Sequence, residues 1–264
     1  MKFELIDSHC HLDDDRFDDD RDQVVQRAQQ QGVRQIVIPA TIADRWEKVK
    51  QVAQRYAGVS ASYGLHPMFM SRHRVEHVAA LDAWLAREKA VAVGECGLDF
   101  YAHHEDESQQ LELLRGQLSV ALNHQLPVII HARKALDLIL REIRLCGIRR
   151  GVVHSFSGSL QQAQQLVDLG FKISIAATVS FERAKKLREI VRTIDIQSLL
   201  IESDAPDQPG QAHRGQRNEP AFILDHVNIM AQLKQLSVPE MALHLNQNCR
   251  ELFKNLPAEC ICSL

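Results

Sequence analysis

No apolar run in this chain approaches the roughly 20 residues that a membrane-spanning helix needs, so no helical membrane anchor is expected. An excess of charge of one sign is also lacking: the net charge is −3, which gives no overall attraction to a polyanion. Nucleic-acid binding would therefore need a local basic patch. The six cysteines, Cys10, Cys96, Cys146, Cys249, Cys260 and Cys262, are scattered without a disulfide or zinc spacing. Reduced thiols in a cytoplasmic protein are the expectation. It agrees with the start, Met1-Lys2-Phe3-Glu4, which enters an apolar strand pattern without a signal-peptide core. No linker or low-complexity stretch divides the chain. A single domain over 1–256 is expected, with 257–264 as a disordered tail after Pro257.

What is present is alternation. Short β-branched runs at 3–9, 33–40, 59–64, 90–95, 127–131, 151–154, 172–176 and 199–204 read as strands. Amphipathic stretches fall between them, for example at 21–31, 45–56, 109–124, 136–146 and 160–169. Gly32, Gly58, Gly147 and Gly170 stand where helices should stop. Eight βα units in 264 residues fit a closed α/β (β/α)8 TIM barrel. A doubly wound open sheet is the other reading, weakened because no glycine-rich dinucleotide fingerprint follows the first strand.

In such a barrel the chemistry sits at the C-terminal ends of the strands. The first strand ends in Asp7-Ser8-His9-Cys10-His11, where strand alternation turns His9 and His11 to one side and Cys10 to the other. Later strand ends supply His66, Glu95, His131, His154 and Asp204. Four imidazoles (His9, His11, His131, His154) and two carboxylates (Glu95, Asp204) exceed what one tetrahedral ion takes. They suit two divalent cations sharing a carboxylate, with zinc, manganese or magnesium all compatible.

At these positions the chain resembles the TatD family of metal-dependent deoxyribonucleases, within the amidohydrolase-like barrels. The shared pieces run in order through nearly the whole chain. They are Asp7-Ser-His-Cys-His11, Gly64-Leu-His-Pro67, Gly94-Glu-Cys-Gly-Leu-Asp99, His131-Ala-Arg133, His154-Ser-Phe-Ser-Gly158, Glu202-Ser-Asp-Ala-Pro206 and Arg217-Asn-Glu-Pro220. The resemblance implies Glu95 as the bridging ligand, His9, His11 and Asp204 on one ion, and His131 and His154 on the other. It also implies DNA as substrate. Met68 departs from the family, many of whose members carry a second histidine after the His-Pro pair.

Physical roles follow from residue type. Asp204 is the candidate proton acceptor for an activated water. His66 is placed to contact phosphate or to protonate the leaving oxygen. Arg133 offers a planar fork for a phosphate, and Arg214 and Arg217, in the basic segment 213–217, would hold the next phosphates of a single strand or strand end. Simpler roles compete. Arg133 could pair with a carboxylate, and Asp99 could orient a ligand or only form a turn. Asn218 and Glu219 could cap a helix near Pro220. Cys10 and Cys96 are expected to pack, and the basic run 183–192 to be a solvated helix face. The remaining histidines (His73, His77, His103, His104, His124, His226, His244) read as surface or helix residues. Two other functions stay open: an amide, ester or lactone hydrolase using the same machinery, and a barrel kept only for binding. A monomer is expected.

Overall fold

The computed structural model describes residues 3–101 and 107–257. His103, His104 and the expected tail at 258–264 lie outside the described residues. Pro257 does not: its carbonyl accepts a hydrogen bond from Gln35 Nε2 at 2.9 Å.

Among the described residues there are eight strands, all parallel to their neighbours. They are β1 (Leu5–Asp7), β2 (Val33–Pro39), β3 (Val59–Ser62), β4 (Val93–Asp99), β5 (Val128–Arg133), β6 (Gly151–Val153), β7 (Phe171–Ile175) and β8 (Leu199–Ile201). Ladders join β1 to β3 and β4 to β8. The two sheets meet at Tyr63 and Val93, where Gly94 N donates to Tyr63 O at 2.8 Å. At the other seam Ser8 N donates to Ile201 O at 3.1 Å and Asp204 N to His9 O at 2.9 Å. Both seams are bonded, so the sheet closes into a barrel and the open-sheet alternative falls.

The helices are α1 (Arg21–Gln30), α2 (Trp46–Arg55), α3 (Glu76–Leu85), α4 (Glu107–Asn123), α5 (Leu136–Cys146), α6 (Leu160–Asp168), α7 (Lys185–Thr193), α8 (Ile223–Lys234) and α9 (Val238–Leu252). Their ends follow local chemistry. Ser159 with Gln162, and Ser237 with Glu240, form reciprocal capping boxes that satisfy the first free N–H groups of α6 and α9. The four glycines expected as stops take φ of 91°, 84°, 77° and 87°. The apolar faces of the helices pack on the outside of the strands in one continuous core.

A second apolar cluster fills the barrel's interior at its lower end. Ile6, Val37, Ala92, Ile129, Val152 and Leu200 point inward, and Leu252 and Phe253 at the end of α9 close over them. The extra helix α9 is thus the floor of the barrel, leaving the opposite end open for polar groups. No helix among the described residues is long and apolar enough to cross a membrane.

Candidate metal centre

Strands β4 and β5 continue past the expected ends at 95 and 131, pairing Gly97 with His131 and Asp99 with Arg133. Gly97 makes this possible: a Cβ there would lie 1.9 Å from His131 O, and its φ of 145° suits only glycine. The close approach brings Glu95 and His131 to the same point at the open end.

Glu95 is the centre of the arrangement, almost fully buried, and its two oxygens face different partners. Oε1 lies 2.7 Å from His154 Nε2, 2.8 Å from His66 Nε2 and 3.2 Å from His131 Nδ1. Oε2 lies 3.2 Å from His9 Nε2 and 3.5 Å from His11 Nε2. Asp204 Oδ1 joins the second group, at 3.6 Å from His9 and 3.7 Å from His11. The structure therefore brings together all six residues expected to bind metal, His9, His11, Glu95, His131, His154 and Asp204. His131 and His154 stand at Oε1 of Glu95 and His9 and His11 at Oε2, while His9 and His154 also form a group with Glu202.

Asp204 has φ of 55°, in the sparsely populated left-handed region, held there by its N–H on His9 O. Its second oxygen accepts from Gln208 Nε2, an amide that also reaches Ser155 Oγ. Asp99 is fully buried, and its Oδ2 is 3.0 Å from His131 Nε2. It orients the imidazole so that Nδ1 faces Glu95, rather than serving only as a turn residue. On the far side of His154, Glu202 Oε1 stands 3.5 Å from Nδ1, close enough for attraction without hydrogen-bond alignment.

The charge balance of the site is short of cations. Burial works to raise the Glu95 carboxyl, but the imidazoles of His154, His66 and His9 hold it well below its ordinary range. Burial likewise works against charge on His154, and Glu95 and Glu202 overcome it, raising that imidazole well above its usual value. His131 is raised despite burial through Asp99 and Glu95, and His11 through Glu95 and Asp204. Protons thus gather where positive charge is wanted. Buried Glu95 Oε2 and His9 Nδ1 also lack hydrogen-bond partners. An N/O donor set of this kind, with an orphaned carboxylate oxygen, fits divalent cations. The groups His9–His11–Glu95 and His66–Glu95–His131 each place ligand atoms within 4.8 Å of one another.

His66 is set apart from the other imidazoles by its tautomer. Met68 N donates to His66 Nδ1 at 3.0 Å, so that nitrogen carries the lone pair. Burial pushes the ring's pKa down to about 4. The neutral ring then bears its proton on Nε2 and donates it to Glu95 Oε1 at 2.8 Å.

His11, His66, Glu95, His154 and Asp204 line an open cleft of about 1340 Å3. Arg133 lies on its wall, its guanidinium 3.8 Å above the Tyr101 ring, with no carboxylate partner among the described residues. Arg217 does not reach the cleft. It is paired with Asp20 at 2.7 Å and Glu219 at 3.2 Å, and its guanidinium lies over Phe17. Two carboxylates and an aromatic face satisfy it, so the expected phosphate contact through Arg217 is corrected. Arg214 and the rest of 213–217 are likewise absent from the lining. The basic wall comes from elsewhere: Arg183, Lys185 and Lys186 line the cleft, although the run 183–192 reads in sequence as a solvated helix face.

Glu219 takes the N-cap position of the 3-10 turn Pro220–Phe222, but its side chain makes no capping bond, and neither does that of Asn218. Asn218 Nδ2 donates to Ser203 O and Asp207 O, both at 2.8 Å, and Glu219 holds Arg27 at 2.7 Å. Cys10 and Cys96 are fully buried in the core, as expected for packing. Sequence reasoning gave no role to Glu202 or Gln208. Alternation carried on from Leu200 of β8 points to Glu202; nothing local marks Gln208.

A family model described as TatD related DNase matches residues 6–254. The uncharacterized metal-dependent hydrolase YjjV of Escherichia coli K12 is 38% identical, over 96% of this chain and 98% of its own length. A protein of Erwinia billingiae named 3'-5' ssDNA/RNA exonuclease TatD is 32% identical, over 96% of this chain and 100% of its own. The crystal structure of YjjV covers 96% of this chain and 99% of its own with a TM-score of 0.93. The chain belongs to the TatD family of metal-dependent hydrolases.

Proposed function

We propose that this protein is a phosphodiesterase that hydrolyses nucleic acid, DNA foremost, at a single-stranded end, using two divalent cations that share Glu95. The observation that carries the reading is that the two oxygens of Glu95 face different imidazoles, with the Arg133 guanidinium, which has no carboxylate partner among the described residues, on the cleft wall. The exonuclease name of the Erwinia relative points the same way. His9, His11 and Asp204 would hold one cation, and His131 and His154 the other. When bound, such ions lower the pKa of water and offset charge on phosphoryl oxygens.

The chain's own groups do the rest. Asp204 Oδ1 faces the site interior while Gln208 occupies its other oxygen, so Oδ1 is the oxygen turned both to the cation site and to its water, whose proton it would accept. His66 Nε2–H, which rests on Glu95 Oε1 at 2.8 Å, would turn to a phosphoryl or leaving oxygen, its tautomer fixed by Met68 N–H. Arg133 forms paired charged hydrogen bonds to the phosphate, held in orientation by stacking on Tyr101.

The test compares Arg133→Ala with the parent, both loaded with manganese, on a short single-stranded DNA and on an uncharged lactone. Loss of a charged hydrogen bond should cost about 1.5–3 kcal/mol on DNA and leave the lactone unaffected. Equal loss on both, or turnover of the lactone alone, would replace the nuclease by an ester or lactone hydrolase.

A further inference from the structure

The cleft has two unlike walls. The segment after β3 exposes Met68 and Phe69, 41% and 40% accessible, both lining the cleft. Phe69 meets His66 edge-on at 5.8 Å, one ring away from Glu95. Large apolar side chains gain nothing for the fold by standing at the mouth. The segment after β7 brings Arg183, Lys185 and Lys186 to the same cleft. Strands three and seven are half a turn apart in an eight-stranded barrel, so these segments face each other across the metal centre.

The cations of the two groups of segments also differ. Arg16, Arg45 and Arg72 on the rim are neutralised by Asp14 and Asp207, Asp15 and Asp44. Arg183, Lys185 and Lys186 have no carboxylate partner among the described residues. Their charge is free for a ligand.

Resting on the nuclease reading, we infer that a single strand crosses the mouth with its phosphates along Arg183, Lys185 and Lys186 and the base beside the scissile phosphate stacked on Phe69. The chemistry matches a chain that is anionic along one edge and aromatic along the other. A duplex keeps its bases stacked on one another and cannot offer one to Phe69 without unpairing. An aromatic face accepts any base, so the strand is chosen for being unpaired and not for its sequence.

The experiment measures kcat/KM of the manganese-loaded protein on a short single-stranded DNA and on the same strand with an abasic residue at the cleaved end. Phe69→Ala should lower kcat/KM on the natural strand about tenfold through KM, and Phe69→Trp should restore it. The abasic strand should be handled by parent and Phe69→Ala at one, already reduced, level. Lys185→Ala combined with Lys186→Ala should weaken both strands alike. It should also flatten the log–log salt dependence of KM by about 0.7 for each phosphate no longer neutralised. Equal effects of Phe69→Ala on the two strands, or none on either, would overturn the stacking role while hydrolysis by the parent still upheld the nuclease reading. An unchanged salt slope would overturn the phosphate path. A parent that cleaves neither strand would overturn the nuclease reading itself.

Discussion

The two ends of the barrel are built from the same strands and differ by two residues. On β5, Ile129 points into the dry floor and His131 into the mouth; on β6, Val152 is followed by His154. On β8, Leu200 is followed by Glu202 just past the strand end, while Asp204, further on, is turned in by its left-handed backbone. Each step of two keeps the side chain on the inward face and raises it by roughly 6–7 Å. Below that step the interior is apolar and is closed by Leu252 and Phe253. Above it, imidazoles and carboxylates crowd together with too little positive charge. The floor makes the fold stable, and the mouth carries a cost in buried charge that a cation would offset.

If that division is right, each end can be damaged without the other. The largest effect on stability should come from Phe253→Ala, which opens a cavity under the barrel and should cost about 3–5 kcal/mol. Urea unfolding checks the loss, and metal content per folded molecule should match the parent. A parallel loss of bound metal would show that floor and mouth are one unit.

The converse is Asp204→Asn. It keeps the shape and an oxygen donor but accepts no proton, so turnover should fall by roughly 10² or more, with little change in the urea midpoint. Near-parent turnover at saturating manganese would remove Asp204 as the base.

The smallest effect should appear at the boundary between the ends. Asp7 sits between Ile6 of the floor and His9 of the mouth, and burial pushes its carboxyl up from 3.8 to about 7. The folded form then binds a proton that the unfolded form has lost across that interval. The contribution of Asp7 to the stability of the metal-free protein is therefore present at low pH and lost as pH rises from 3.8 to about 7. Asp7→Asn should remove that loss, so its urea midpoint relative to the parent should rise with pH across that range in chelator-treated samples. Identical slopes would mean that Asp7 is not the group responsible.

Much of this division is legible in the residues themselves. The eight strand runs and the glycine stops place His9, His11, Glu95, His131, His154 and Asp204 at strand ends, and the barrel rule then gathers them. The strand limits at β4 and β5 are less legible, because the extension depends on Gly97 allowing one backbone to approach another. Arg217 and Arg183 show the other limit. Both are cationic and near a motif or a loop, and only their neighbours separate them. Asp20 and Glu219 fold against Arg217, whereas Arg183 has Phe181 beside it and no carboxylate among the described residues.

The sequence by itself determined the type of donor at each strand end, since strand period and residue chemistry are local properties. It also determined that no global charge could recruit a polyanion. Tertiary structure alone decided which oxygen of Glu95 faces which imidazoles, and that Asp99 and Gln208 hold the ends of His131 and Asp204. It decided as well which arginines stay free. Those outcomes depend on distances between segments far apart in the chain, and no local pattern encodes a distance of that kind.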